Sequence, residues 1–175
     1  MHELVVMEPA VHADDRGFFL EAYSRRDFAQ ATGDDVEFVQ DNLSRSVRGV
    51  LRGLHYQVAP HPQGKLVRVV EGAIFDVAVD IRRSSPTFLD WAGVELSADN
   101  RRHLWIPAGF AHGFLVLSES AQVLYKTTDY YEPTCDRSIR WDDPRLAIAW
   151  PSTDAPLVSD KDAHAPLVPG ADLFP

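Results

Sequence analysis

The sequence predicts one all-β domain, a sandwich or barrel with short helices at its periphery. Three features lead there: side chains that alternate at period two, short apolar runs separated by turn residues, and a single well-capped helical pattern. With 175 residues and 45% hydrophobic side chains, the chain is long enough to bury one sizeable core.

Along the chain, the first residues up to Met7 are briefly apolar but are broken by Glu3 and followed by Glu8, which does not match a secretory signal. A helix is predicted to begin at Ser24, with Asp27 placed as in a capping box, and to stop at Gly33. Gln40 and Asn42 share parity with Val36 and Phe38 and can share a face of an extended segment. Arg52 and His55 would fall on opposite faces of a regular strand, and Gly53 between them suits a β-bulge that brings both to one side.

From Lys65 to Ile81 two apolar stretches flank Glu71-Gly72 as hairpin strands flank a tight turn. In the second, Phe75, Val77, Val79 and Ile81 alternate with Asp76, Ala78 and Asp80, the period of a strand. Further strands are expected over 92–96, 103–106, 111–117 and 122–128, separated by Ser97-Ala98-Asp99-Asn100 and Pro107-Ala108-Gly109. Pro151, Pro156, Pro166, Pro169 and Pro175 are five of the twelve prolines, so the tail 151–175 is expected to wrap the barrel in extended form.

A net charge of −9 argues against a nucleic-acid surface, which needs a basic face, and makes each cation inside a site informative. Cys135 is the single cysteine and closes no intrachain disulfide. No segment is long and apolar enough to cross a bilayer as a helix. A soluble, cytoplasmic protein without membrane or nucleic-acid partners is the expectation.

Pro107-Ala108-Gly109-Phe110-Ala111-His112-Gly113 resembles the second cupin motif, in which a Pro-x-Gly turn launches a strand with an inward histidine. The first cupin motif would supply His-x-His and then a glutamate, ligands that suit a divalent transition metal. Here those places hold His55-Tyr56-Gln57 and Lys65. An ammonium has no free lone pair and repels a cation, so no metal is expected. His55, His112 and Lys65 would still form a polar cluster inside a barrel, and burying such groups is costly without a function.

Arg52-Gly53-Leu54-His55-Tyr56-Gln57, Lys65-Leu66-Val67-Arg68-Val69 and Gly109-Phe110-Ala111-His112-Gly113-Phe114 together resemble the dTDP-4-dehydrorhamnose 3,5-epimerase family. The match begins at Asp15-Arg16-Gly17-Phe18-Phe19-Leu20-Glu21, passes through Gln40-Asp41-Asn42, and takes in Tyr125-Lys126, Tyr130-Tyr131 and Ser159-Asp160-Lys161-Asp162. The resemblance implies a cupin-like jelly roll over 1–175, with 1–50 as a dimer-arm region, 51–128 as the core barrel and 151–175 as the tail. It also implies a homodimer whose amino-terminal residues complete the partner's site, and a cofactor-independent epimerase acting on dTDP-4-keto-6-deoxyglucose.

Protons adjacent to a ketone are weakly acidic, so such an enzyme needs a base, a positive group for the enolate oxygen, and an acid across the ring. The resemblance implies His55 as base, Asp162 as its hydrogen-bonding partner, Lys65 at the enolate with His112 and Arg52, and Tyr125 as the acid. For the nucleotide it implies Arg16, Arg52 and Lys161 at the diphosphate and Tyr131 stacked on thymine. Phe19, Glu21, Gln40, Asp41 and Asn42 are the further substrate-binding candidates. Asp136 stands where the family often has glutamate, and its shorter side chain alters the reach of that contact. The alternatives are an epimerase acting on one carbon of a secondary-metabolite deoxysugar, against which Gln40-Asp41-Asn42, His55, Tyr125 and Asp162 weigh, and a dTDP-sugar-binding jelly roll without catalysis, against which His55, Lys65 and Asp162 weigh.

Overall fold

The computed structural model describes residues 3–151 and 155–175. One five-stranded sheet runs β1 (Val5–Met7), β9 (His103–Ile106), β6 (Lys65–Glu71), β11 (Ser120–Thr127) and β4 (Gln40–Val47). The other runs β12 (Asp136–Ser138), β5 (Leu51–Gln57), β10 (Phe110–Val116), β7 (Ala73–Asp80) and β8 (Trp91–Ser97). A separate hairpin pairs β2 (Val11–Asp14) with β3 (Gly17–Leu20). From β4 onward most connections step from one sheet to the other, which makes the two sheets a jelly-roll sandwich.

That stepping corrects the expectation at Glu71-Gly72. β6 and β7 do not form a hairpin: β6 pairs with β9 and β11, while β7 pairs with β10 and β8. Val67 and Val69 of β6 face Ile74 and Ala78 of β7 across the sandwich core, an arrangement that pairing edge to edge would prevent. Gly72 makes the corner at φ +77°, where a Cβ would sit 2.0 Å from the Ser120 carbonyl oxygen.

Three apolar clusters account for the layering. Between the sheets lie Val67, Val69, Leu104 and Ile106 of the first and Ile74, Leu96, Phe114 and Val116 of the second. The outer face of the second sheet, with Leu54, Tyr56, Val77 and Val79, is covered by Ile139, Leu146 and the tail residues Val168 and Leu173. β7 is therefore buried on both faces, and its alternation marks a strand without marking a solvent side: Asp76 and Asp80 are as buried as Val77. The outer face of the first sheet carries Leu66 and Trp105 under Phe28 of α1 (Arg25–Thr32). Ser24 Oγ accepts the Asp27 backbone N–H and Gly33 closes the helix in the left-handed region, as predicted, a cap worth about 1 kcal/mol.

The sheets reach beyond 51–128. β4, from the amino-terminal region, pairs with β11 from Gln40 to Val47, and β12 pairs with β5. Residues 152–154 of the tail lie outside the described ones. The remainder is not simply extended: Ser159 caps a short helix α2 (Asp160–Ala163), and a 3-10 turn follows at Val168–Gly170. The interval between Pro156 and Pro166 is free of proline and carries its own N-cap, so one helical turn forms there.

Candidate active site

The inner faces of the two sheets part at one end into a cleft of about 350 Å³. Strand parity selects its lining. Gln40 and Asn42 come from β4, Lys65 from β6, Tyr125 from β11, Arg52, His55 and Gln57 from β5, and His112 from β10. Arg52 and His55 do share this face. Opposite them, Phe114 and His112 are only two residues apart, so β5 carries one residue more than its partner. Gly53 absorbs it at φ +135°, where a Cβ would lie 2.5 Å from Gly113 Cα.

The bulge sets His55 directly across from His112 and exposes the Gly53 N–H to the tail. Asp162 fills that position. Its Oδ1 lies 2.5 Å from His55 Nε2, its Oδ2 accepts the Gly53 N–H at 3.4 Å, and its own N–H donates to Ser159 Oγ at 3.2 Å. Burial pushes the Asp162 carboxyl up, but the bonds from His55, Gly53 and Ser159 outweigh it and hold the group below its ordinary value. Asp162 is thus an ionised partner fixed on the imidazole.

Lys65 enters from the opposite sheet and donates from Nζ to the His55 carbonyl oxygen at 3.1 Å. Burial lowers its pKa from 10.5 to about 8, with Asp136 and Asp76 opposing the shift. At neutral pH it is a protonated, desolvated cation. His112 is 7% exposed, and its Nε2 lies 3.0 Å from both carboxylate oxygens of Asp76. Tyr125 is half-buried, and burial, with Asp136 adding and Arg52 opposing, holds its phenol protonated above the ordinary value.

At the mouth, Gln40 Nε2 donates to Asn42 Oδ1 at 2.9 Å, while Gln40 Oε1 accepts the Tyr131 N–H at 3.1 Å. Tyr131, 56% exposed, donates its hydroxyl to Asp136 Oδ2 at 3.2 Å, and Lys161 forms an ion pair with the same carboxylate. Arg52 is steadied by donating to Ser46 Oγ at 3.0 Å. Arg52, Lys65 and Lys161 supply a locally positive site in an acidic chain.

Four of the sequence-predicted residues are not brought into this cleft. Asp41 has the parity opposite to Gln40 and Asn42, so β4 turns it to the outer face, where Lys126 Nζ donates to it at 2.9 Å. Arg16, Phe19 and Glu21 lie on and after the β2–β3 hairpin. Arg16 pairs there with Asp14, and Phe19 and Glu21 border a different recess beside α1. Conversely, Asp76 was read from sequence only as a polar strand position. A carboxylate between apolar neighbours in the run from Ala73 to Ile81 is the signal that could have marked it.

The donor set does not fit a divalent cation. His55 Nε2 and His112 Nε2 each face a carboxylate, and the Lys65 ammonium projects into the same cleft. Among the described residues no three histidine, cysteine, aspartate or glutamate side chains form a ligand cluster.

What the cleft offers is a carboxylate-held imidazole, a buried cation and a phenol around one small space, the equipment for moving a proton next to a carbonyl. Comparison with known proteins points the same way. The family model described as dTDP-4-dehydrorhamnose 3,5-epimerase matches residues 1–169. A Pseudomonas aeruginosa protein named dTDP-4-dehydrorhamnose 3,5-epimerase is 59% identical over 173 residues, spanning 99% of this chain and 95% of that protein. The crystal structure of a Legionella pneumophila dTDP-6-deoxy-D-glucose-3,5-epimerase in complex with dTDP-4-keto-L-rhamnose superposes with TM-score 0.95 at 52% identity, covering 98% of this chain and 93% of that one. A Streptomyces bikiniensis 3'-monoepimerase in complex with dTDP-quinovose gives TM-score 0.89 at 38% identity, over 95% and 84%. With a jelly roll, a cleft and a sequence match that run together over nearly its whole length, the chain belongs to the dTDP-4-dehydrorhamnose 3,5-epimerase family.

Proposed function

We propose that this protein epimerises dTDP-4-keto-6-deoxyglucose at both carbons flanking the keto group, giving dTDP-4-dehydrorhamnose for deoxysugar biosynthesis. The observation that carries this reading is that His55, bound to Asp162 at 2.5 Å, and the buried Lys65 ammonium face into one cleft. The two-carbon relatives are also the more similar: 59% identity against 38% for the 3'-monoepimerase.

In the proposed reaction the ring proton beside the ketone passes to His55 Nδ1, because Nε2 is engaged by Asp162. The C–H electron pair moves into the enolate, and the negative charge that develops on the keto oxygen meets Lys65. Such a fixed donor favours the transition state over the ground state and is worth about a hundredfold or more in rate. His112, oriented by Asp76, and Arg52 are further donors to that oxygen. The Tyr125 phenol, protonated at neutral pH, then delivers a proton to the opposite face. Solvent restores the phenol and takes the proton from the imidazolium. The sequence is redox-neutral and consists of proton transfers only, so it calls for neither metal nor redox cofactor.

The nucleotide is bound at the mouth. Tyr131 stacks on thymine, Arg52 and Lys161 take the diphosphate, and Gln40, Asn42 and Asp136 bond the sugar and nucleoside. Arg16, Phe19 and Glu21 act in a partner's site within a homodimer. In support, Phe18 and Phe19 are 60% and 69% exposed on a projecting hairpin, apolar surface that a second copy would cover. Asp41 stays outside the cleft and serves the pairing with Lys126 rather than substrate. The proposed site of action is the cytoplasm.

Incubation with the keto sugar in deuterium oxide tests the assignment. Proton NMR should show solvent deuterium at both carbons with inversion at each. Deuterium at one carbon only would make the protein a mono-epimerase, and dTDP binding without exchange would make it a binding module.

A further inference from the structure

Gln57 stands where the cupin pattern has its second histidine, and the proton-transfer scheme gives it no task. It is 3% exposed, so each polar atom of its amide needs a partner. All are found on loop backbone. Nε2 donates to the His61 carbonyl oxygen at 2.7 Å and to the Tyr130 carbonyl oxygen at 3.1 Å, and Oε1 accepts the Glu132 N–H at 2.8 Å. Two carbonyls and one N–H fix the orientation of the amide without ambiguity.

The two groups contacted on the second loop are the ones on either side of Tyr131. The intervening Tyr131 N–H is itself held by Gln40 Oε1 at 3.1 Å. The side chain itself is 56% exposed, and its hydroxyl donates to Asp136. Asp136 in turn is the cross-strand register partner of Gln57. The direction in which the ring projects therefore depends on a backbone clamped from inside the barrel.

We infer that Gln57 is a positioning residue for nucleotide recognition, fixing the backbone on both sides of Tyr131 so that its ring is presented to the base before substrate arrives. This rests on the proposed stacking role of Tyr131. A buried side chain with two donors and one acceptor reading a loop backbone is preorganisation: the loop's ordering cost is met on folding instead of on binding. Neither a carboxylate nor a thioether of similar size reproduces the pattern, because a carboxylate cannot donate to two carbonyls and a thioether has no donor and only a weak acceptor.

A double-mutant cycle on dTDP affinity, measured by calorimetry on the full-length protein, tests it. Tyr131→Ala should weaken dTDP about tenfold or more, as loss of one base stack does. Gln57→Met should weaken it by about the same factor and raise KM accordingly, with kcat within about threefold of the parent. The double variant should be no weaker than Tyr131→Ala alone, because the clamp acts through the ring. Additive losses, or unchanged dTDP affinity in Gln57→Met, overturn the inference while leaving Tyr131 as the stacker. Unchanged affinity in Tyr131→Ala overturns the stacking reading itself. Should Gln57→Met fail to fold, Gln57→Glu, which keeps the volume and the acceptor for Glu132, carries the same cycle with the same criteria.

Discussion

Asp162 Oδ1 lies 2.5 Å from His55 Nε2 although 107 positions separate the two residues. The contact exists because the tail is pinned on both sides of it. Leu157 exchanges backbone bonds with Gly49 and Leu51 before it, and the Val168 N–H donates to the buried Asp143 carboxylate at 2.6 Å after it. Asp162→Asn keeps the size and the hydrogen bond but removes the charge that stabilises an imidazolium. We expect kcat to fall about 10³- to 10⁴-fold, by analogy with the same change in a Ser-His-Asp triad, with dTDP affinity little altered in a binding assay.

Lys65 predicts opposite pH dependences for activity and stability. Its ammonium, which the proposed reaction sets against the enolate, is lost as pH rises through about 8, so kcat/KM should decline above that value in a pH–rate profile. Stability moves the other way. Between about 8 and the ordinary 10.5 the unfolded chain holds the proton and the folded chain does not, so stability from this group rises with pH. Lys65→Met should be nearly inactive while still binding dTDP. Its unfolding free energy in urea should exceed that of the parent at pH 7 and lose that advantage as pH approaches 10.

Tyr125→Phe removes the proposed acid and leaves the proposed base. Abstraction by His55 still forms the enolate, which is then reprotonated from the face it came from. Solvent deuterium should continue to enter the substrate with retained configuration, while inverted product falls about 100-fold, the scale of a lost general acid. Chiral analysis of the recovered sugar beside NMR exchange rates checks both halves.

The hairpin arm predicts complementation between chains. In the proposed homodimer His55→Ala lacks the proposed base and Arg16→Ala lacks the proposed arm cation, so each alone should be nearly inactive. Mixed under conditions that exchange subunits, they should form heterodimers with one complete site. Recovered activity should approach about a quarter of the parent, the statistical share when half of the dimers are mixed and each has one of two sites intact. No recovery would mean that Arg16 does not serve a partner's site.

Much of this is legible in the sequence. Period-two alternation marks β7, turn-bounded apolar runs mark β6 and β8 to β11, the Ser24 and Gly33 signals bound α1, and a bulge at Gly53 follows from needing Arg52 and His55 on one face. What stayed hidden belongs to the third dimension. The Glu71-Gly72 corner reads locally as a hairpin, and only the facing cores of two sheets send β6 and β7 apart. Asp76 looks like the polar half of a half-exposed strand until the tail covers the other face of β7. Its partner His112 comes from the neighbouring strand β10, a pairing that local pattern does not encode. Asp41 sits inside a motif whose flanking residues enter the cleft, and parity alone turns it away. The surrounding prolines obscure α2, because they suggest an extended tail although Ser159 caps a helical turn between them.

His55 is proposed to remove the proton at both carbons, and solvent exchange in His55→Asn, a change of side chain that keeps polarity and approximate size, tests that role. With dTDP affinity verified by calorimetry to lie within about threefold of the parent, proton NMR in deuterium oxide should show no deuterium entering either carbon next to the ketone. Exchange persisting at either carbon near the parent rate would mean that another group is the base.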